Sequence, residues 1–180
     1  MTTDSKPLSP GVLAARMVVY ATAFLAFILV LVPYAFHWLG TAAGMQPLGE
    51  KLFDLLGPAR PATGAGILFV GVAAYFICSL WLVIVGKGPF VEFDPPREFV
   101  SSGPYRWMRN PVAASLIVAG LGEAILFRSF GILIFVVLGL PMAQLQVTKI
   151  EEPRLRQRFG ASYETYCLNV NRWLPRRPSD

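Results

Sequence analysis

Three uncharged apolar runs constrain this chain more than any other feature: Met17 to Phe36, Pro61 to Gly86 and Phe130 to Thr148. Each is 19 to 26 residues long, enough to cross a hydrocarbon layer of about 30 Å as a helix. A fourth stretch, Val112 to Phe127, is apolar apart from Ser115 and Glu123 and is joined to the next run by only Arg128 and Ser129. So short a connection makes these two segments an antiparallel hairpin. With 54% hydrophobic and 15% charged residues and a mean hydropathy of +0.53, the composition is that of a chain whose solvent is a bilayer. The expected fold is all-α, a multi-pass integral membrane protein of about four transmembrane helices with a C-terminal helical hairpin and an amphipathic cytoplasmic tail.

The first span follows Arg16 and ends near Pro33, His37 and Trp38, where the single histidine is expected as an interfacial anchor. No removable signal peptide is expected, because Met1 to Ala15 has no short apolar core with a small-residue cleavage site. Leu39 to Ala62 mixes Gly, Pro and charge and suits a short helix on the membrane surface. In the second span, Gly64, Gly66 and Gly71 would admit a close helix neighbour. The segment Lys87 to Arg97, rich in proline and mixed charge, predicts an ordered but irregular loop.

A polar hinge, Gly103 to Pro111, lies between the apolar halves, and Glu151-Glu152-Pro153 follows forty residues after Pro111. Asn110 before Pro111 predicts an N-cap and a first helical turn, with backbone N–H groups facing the loop. Arg106 and Arg109 precede that helix start and make it an anion site. The competing reading is a juxtamembrane turn whose arginines meet lipid headgroups. Glu123, costly inside a membrane, predicts an ion pair with Arg128 at the hairpin tip, with a catalytic carboxylate as the alternative. Pro141 is expected to bend the fourth span and Gln144 to face a polar cavity. From Lys149 onward, Leu155, Phe159, Tyr163, Tyr166 and Val170 recur at helical spacing among arginines, which predicts a tail lying on the membrane face.

Charge asymmetry orients the chain. Thirteen Lys and Arg fall on the side of the N-terminus, hinge and tail, against three on the other, which places both termini in the cytoplasm. The net charge of +5 serves topology, since no aromatic-basic nucleic-acid module is present. Cys78 and Cys167 fit neither a metal spacing nor a disulfide framework. They read as packing residues, and no metal is expected.

The stretches Gly86-Lys87-Gly88-Pro89, Phe93-Asp94-Pro95-Pro96, Gly103-Pro104-Tyr105-Arg106 and Arg109-Asn110-Pro111 resemble the isoprenylcysteine carboxyl methyltransferase and phospholipid methyltransferase superfamily. Glu151-Glu152-Pro153, Phe159-Gly160, Tyr163, Tyr166, Arg172-Trp173 and Pro175-Arg176 are similar to its second signature. The resemblance divides the chain into a membrane scaffold, residues 1–86, and a cofactor-binding region, residues 87–180. It implies an S-adenosylmethionine-dependent membrane methyltransferase with a lipid-like or small membrane-partitioned acceptor, working at the cytoplasmic face. The arginine-rich bias and the variant motif suit a bacterial inner membrane. By motif, the implied cofactor residues are Tyr105, Arg106, Arg109, Asn110 and Pro111 on one wall and Glu151 and Glu152 on the other. For catalysis, Arg172 would orient a carboxylate acceptor, whereas Glu152 or Glu123 would be the base for an amine or thiol. Asn110 stands where relatives have histidine, Ala113 and Ser115 where they have tyrosine and glycine, Gln144 where many have histidine and Asn171 where many have proline. A degenerate scaffold of the same fold is the alternative. A membrane reductase ranks below it, since no glycine-rich dinucleotide fingerprint follows a strand.

Overall fold

The computed structural model describes residues 10–87 and 96–177, apart from the side chains of residues 10, 13, 14 and 17. Most of the expected irregular loop at Lys87 to Arg97 therefore lies outside the described residues. Among the described residues every regular element is helical. Helix α1 (Pro10–Ala26) continues through a π turn, Phe27–Leu31, into α2 (Val32–Ala42). Pro33 offers no N–H and its ring crowds the preceding turn; the wider turn, closed by Val32 N–H to Phe27 O, absorbs both. The helix thus passes the expected stop at Pro33, His37 and Trp38 and ends at Ala42.

Helix α3 (Gln46–Phe53) and a 3-10 turn (Asp54–Ala59) lead into α4 (Arg60–Gly86). Rather than lying only on a surface, α3 plugs one end of the bundle: Phe53 is buried against Ala124 and Ile132. Helix α5 (Pro111–Leu126) and α6 (Phe130–Gln146) form the expected hairpin, and α6 runs through a second π turn, Val147–Glu151, into α7 (Glu152–Phe159). A turn at Gly160 (φ +51°) starts α8 (Ala161–Asn169). Pro141 sits within α6, exposed, and the helix remains one element across it.

Three helical segments are long and apolar enough to cross a membrane: Val18–Ala42, Gln46–Gly86 and Phe130–Phe159. Helix α5 has 16 residues, about 24 Å of rise, and is a shorter apolar helix laid along α4; the expected four spans are thus three long helices and this one. Phe69, Val70, Ile77, Leu80 and Ile84 on α4, and Val137, Leu138, Met142 and Leu145 on α6, are exposed. In water such a surface would aggregate, and in lipid it is the solvated surface.

The α4–α5 seam is made at backbone distance. A Cβ on Gly71 would fall on Ala119, one on Gly122 on Leu68, and one on Gly64 would lie 2.7 Å from Leu126 N. Small residues let the two helices gain dispersion contact where lipid supplies no hydrophobic drive. Gly66, expected to share in this, faces open space.

The bundle end remote from the hinge is closed by polar stitches. Arg60 Nη1 donates to Ile125 O at 3.0 Å and Leu126 O at 2.6 Å, capping α5. Ser129 Oγ accepts from Ile132 N at 3.2 Å and lies 2.9 Å from His37 Nδ1, so the histidine joins α2 to α6 instead of only anchoring at the interface. Arg128 pairs with Asp54, not with Glu123. Its backbone sits at φ +53° just past the end of α5, which leads its side chain away from the helix that carries Glu123.

Gly122→Ala is expected to destabilise the protein by about 1–3 kcal/mol through overpacking, read as a lower thermal midpoint in detergent. Gly66→Ala, which meets no atom, is expected to hold or slightly raise that midpoint.

Candidate functional site

The hinge is held against α4 by packing. Gly103 adopts φ +58°, and a Cβ there would overlap the Trp81 indole. Tyr105 is buried, its hydroxyl 3.5 Å from Cys78 O, and its own carbonyl accepts from Tyr166 OH at 2.6 Å. Burial pushes the hydroxyl pKa of both tyrosines up, so each stays a neutral hydrogen-bonding group.

The tail reaches the hinge by folding back on itself. Its apolar stripe, Leu155, Phe159, Tyr163, Tyr166 and Val170, packs with Phe99 into a small core, with the Phe99 ring 5.2 to 5.9 Å from those of Phe159, Tyr163 and Tyr166. The stripe is therefore covered from within the protein rather than by lipid. The sequence pattern shows that one face is apolar but not which surface covers it.

Beyond Val170 an extended strap, residues 170–177, crosses the hinge. Arg109 N donates to Asn171 O at 2.8 Å, Asn110 N to Arg172 O at 3.3 Å, and Arg176 N to Trp107 O at 2.8 Å. Trp173 Nε1 donates to Gln144 Oε1 at 2.6 Å, so Gln144, expected to face a polar cavity, holds the strap to α6. Asn110 occupies the N-cap position of α5, yet its side chain accepts no helical N–H. Its Nδ2 donates to Arg172 O at 3.3 Å, and competition from that carbonyl replaces the expected capping bond.

These elements converge on Glu152, whose side chain is 4% exposed. Arg172 grips it in bidentate fashion, Nε to Oε1 at 2.7 Å and Nη2 to Oε2 at 3.1 Å. Arg109 Nη1 lies 3.3 Å from Oε1 and Arg156 Nη2 3.5 Å from Oε2. The hydrogen bond to Glu152 raises the Arg172 pKa above its ordinary value. Val147 and Glu152 are both buried although five residues apart. A straight α-helix would place them about 140° apart, and the π turn between them stacks them on one face.

Three guanidinium groups thus surround one carboxylate, and Arg156 also reaches Glu164 at 2.9 Å. The cluster carries one cation more than its two acids can balance. Arg109 Nε is buried without a hydrogen-bond partner, while its Nη1 donates to Cys167 Sγ at 2.7 Å. Spare donors and a net positive charge suit a ligand carboxylate or phosphate. The start of α5, one residue beyond Asn110, adds its dipole.

Of the residues singled out in the sequence, Arg109, Asn110, Glu152 and Arg172 meet here, with Pro111 opening α5 beside them. Glu151 turns aside and accepts from Gln146 Nε2 at 3.3 Å. Tyr105 is buried in the packing beneath the hinge, and Arg106 is exposed. Glu123 lies twelve residues along α5 from Pro111, about 18 Å of helical rise, toward the opposite bundle end. It is 5% exposed and its Oε2 has no partner among the described residues. The i+4 spacing of Glu152 and Arg156 already offered their pairing at a helix start, whereas no local pattern announces the contact of Cys167 with Arg109.

Glu152→Gln would leave three guanidinium groups facing one another without their shared anion. The expected cost is about 3–5 kcal/mol, read as faster amide exchange or proteolysis across 152–177. Arg156→Ala, on the solvent-screened rim, is expected to leave exchange and proteolysis across 152–177 close to the parent's.

The model of the phospholipid methyltransferase family matches residues 62–162, from the first turn of α4 to the start of α8. The matched segment includes the seam, the hinge and Glu152 and stops before the strap. Comparison with curated proteins and with solved structures returns no match. The family match covers more than half of the chain and coincides with helices built for a bilayer, and on that ground the protein belongs to the phospholipid methyltransferase family, within the isoprenylcysteine and phospholipid methyltransferase superfamily.

Proposed function

We propose that the junction of hinge and tail binds S-adenosylmethionine and directs its methyl group to a lipid-like or small membrane-partitioned acceptor. The observation that carries this reading is the surplus of guanidinium charge around Glu152, with the buried, unpartnered Arg109 Nε, at the start of α5. Arg109 and the first turn of α5 suit the cofactor's carboxylate, and Glu152 is the carboxylate nearest to them for its ammonium or ribose hydroxyls. When bound, S-adenosylmethionine supplies an electrophilic methyl group on a sulfonium centre.

The chain's own task is then positioning. Arg172 holds Glu152 in one orientation, the strap bonded to Gln144, Arg109 and Asn110 screens the site from water, and the hinge packed on Trp81 sets the depth at which an acceptor meets it. Arg172 could turn one Nη toward an acceptor carboxylate, whereas Glu152, held ionised by its arginines, is suited to positioning rather than to taking a proton. By the positive-inside rule the junction faces the cytoplasm, in a bacterial inner membrane. The closed ion-pair cluster and the loss of the family's tyrosine at Ala113 favour a second reading, a scaffold that has kept the fold without the chemistry.

Calorimetric titration of detergent-purified protein with S-adenosylmethionine and with its demethylated product separates the two. Binding is expected, weakened roughly tenfold or more in Arg109→Ala because one charge-assisted bond is lost. A folded, monodisperse parent that binds neither compound supports the scaffold.

A further inference from the structure

Two arginines at the hinge end stand outside the Glu152 cluster. Arg106 and Arg176 are exposed, and among the described residues neither guanidinium has a hydrogen-bond or ion-pair partner. The bond from Arg176 N to Trp107 O, 2.8 Å, puts the end of the strap beside the hinge. The backbone thus brings two exposed arginines next to the half-exposed Trp107, Arg106 as its chain neighbour and Arg176 across the strap. Arg177 is exposed next to them, and Leu174, also on the strap, is 73% exposed.

The charge of this surface is one-sided. Residues 99–110 and 170–177 contain five arginines and no Asp or Glu, and Arg109 and Arg172 are already turned inward to Glu152. Several cations elsewhere are settled within the protein: Arg60 on carbonyls, Arg128 on Asp54, Arg156 on Glu152 and Glu164, Arg158 on Pro96 O.

Depth in the bilayer follows from the helices beside it. Trp173 meets Gln144 in the last turns of α6, and Gly103 meets Trp81 on α4. Counting about 30 Å of hydrocarbon from Pro61, at the start of the α4 apolar run, ends near Trp81. Arg106, Trp107, Leu174 and Arg176 thus stand at headgroup level, where an indole and a leucine meet the acyl boundary and arginine meets phosphate.

We infer that Arg106, Trp107 and Arg176 form a binding surface for the phosphate of an anionic phospholipid in the leaflet that borders the methyltransferase site. Arginine forks clamp phosphate oxygens, and two arginines next to an indole select a lipid of net negative charge over a zwitterionic one, whose own cation would be repelled. The surface is separate from the Glu152 cluster and requires no cofactor.

The test is native mass spectrometry of the full-length protein released from nanodiscs of equal parts phosphatidylglycerol and phosphatidylcholine, without cofactor. The parent is expected to retain phosphatidylglycerol in preference. Arg106→Gln and Arg176→Gln each reduce that retention by about fivefold, and the double variant reduces it further, with phosphatidylcholine adducts unchanged. Lys51→Gln, an exposed cation at the other bundle end, is expected to change nothing. The inference is overturned if the parent shows no preference, if the single variants retain phosphatidylglycerol as the parent does, or if Lys51→Gln loses as much. Because each replaced side chain has no partner to lose, the single variants report lipid binding even if the double variant folds poorly.

Discussion

The grip of Arg172 on Glu152 is the interaction on which the rest of the hinge end depends. Glu152 lies on the helix that continues α6 and Arg172 on an extended strap twenty residues later, and this pair, reinforced by Arg109, joins tail, hinge and helix bundle at one point. A carboxylate with 4% of its side chain exposed is tolerable only with such partners. Its position is set by a wider turn of helix, because the π turn at Val147–Glu151 rotates Glu152 onto the buried face shared with Val147. Sequence, local geometry and electrostatics are thus joined: one extra residue in a turn decides whether the acid meets its bases.

The two bundle ends divide the work. At the remote end Arg60, Arg128, Asp54, His37 and Ser129 are spent on one another and on helix carbonyls, so that end is closed. Between the ends, α4 and α5 approach to backbone distance through Gly64, Gly71 and Gly122, which makes a rigid base for the hinge. The hinge end keeps positive charge unspent. The guanidinium-rich cluster around Glu152 and most of the segment that places the chain in the phospholipid methyltransferase family thus meet at the hinge.

Much of this was legible beforehand because lipid imposes simple rules. Uncharged runs of about 20 residues can only be helices in a bilayer, so the spans and the α5–α6 hairpin followed from composition and length. Arg109, Glu152 and Arg172 were legible as polar residues at membrane borders. What misled was every inference that needed a partner's identity. Glu123 and Arg128 are near in sequence, yet the turn at Arg128 sends its side chain to Asp54. Asn110 has the residue type of a cap, yet Arg172 O takes its amide. The tail's stripe of Leu155, Phe159 and Tyr163 found Phe99 instead of lipid.

The sequence by itself determined the solvent, the helices and the family of this protein, since hydropathy and motif spacing are properties of one strand read in order. Only the tertiary structure decided which charges neutralise each other and which remain for ligands. An ion pair depends on distance and direction in space, and residues 20, 43 or 74 positions apart, as Glu152–Arg172, Arg109–Glu152 and Asp54–Arg128 are, acquire those only when the helices have packed.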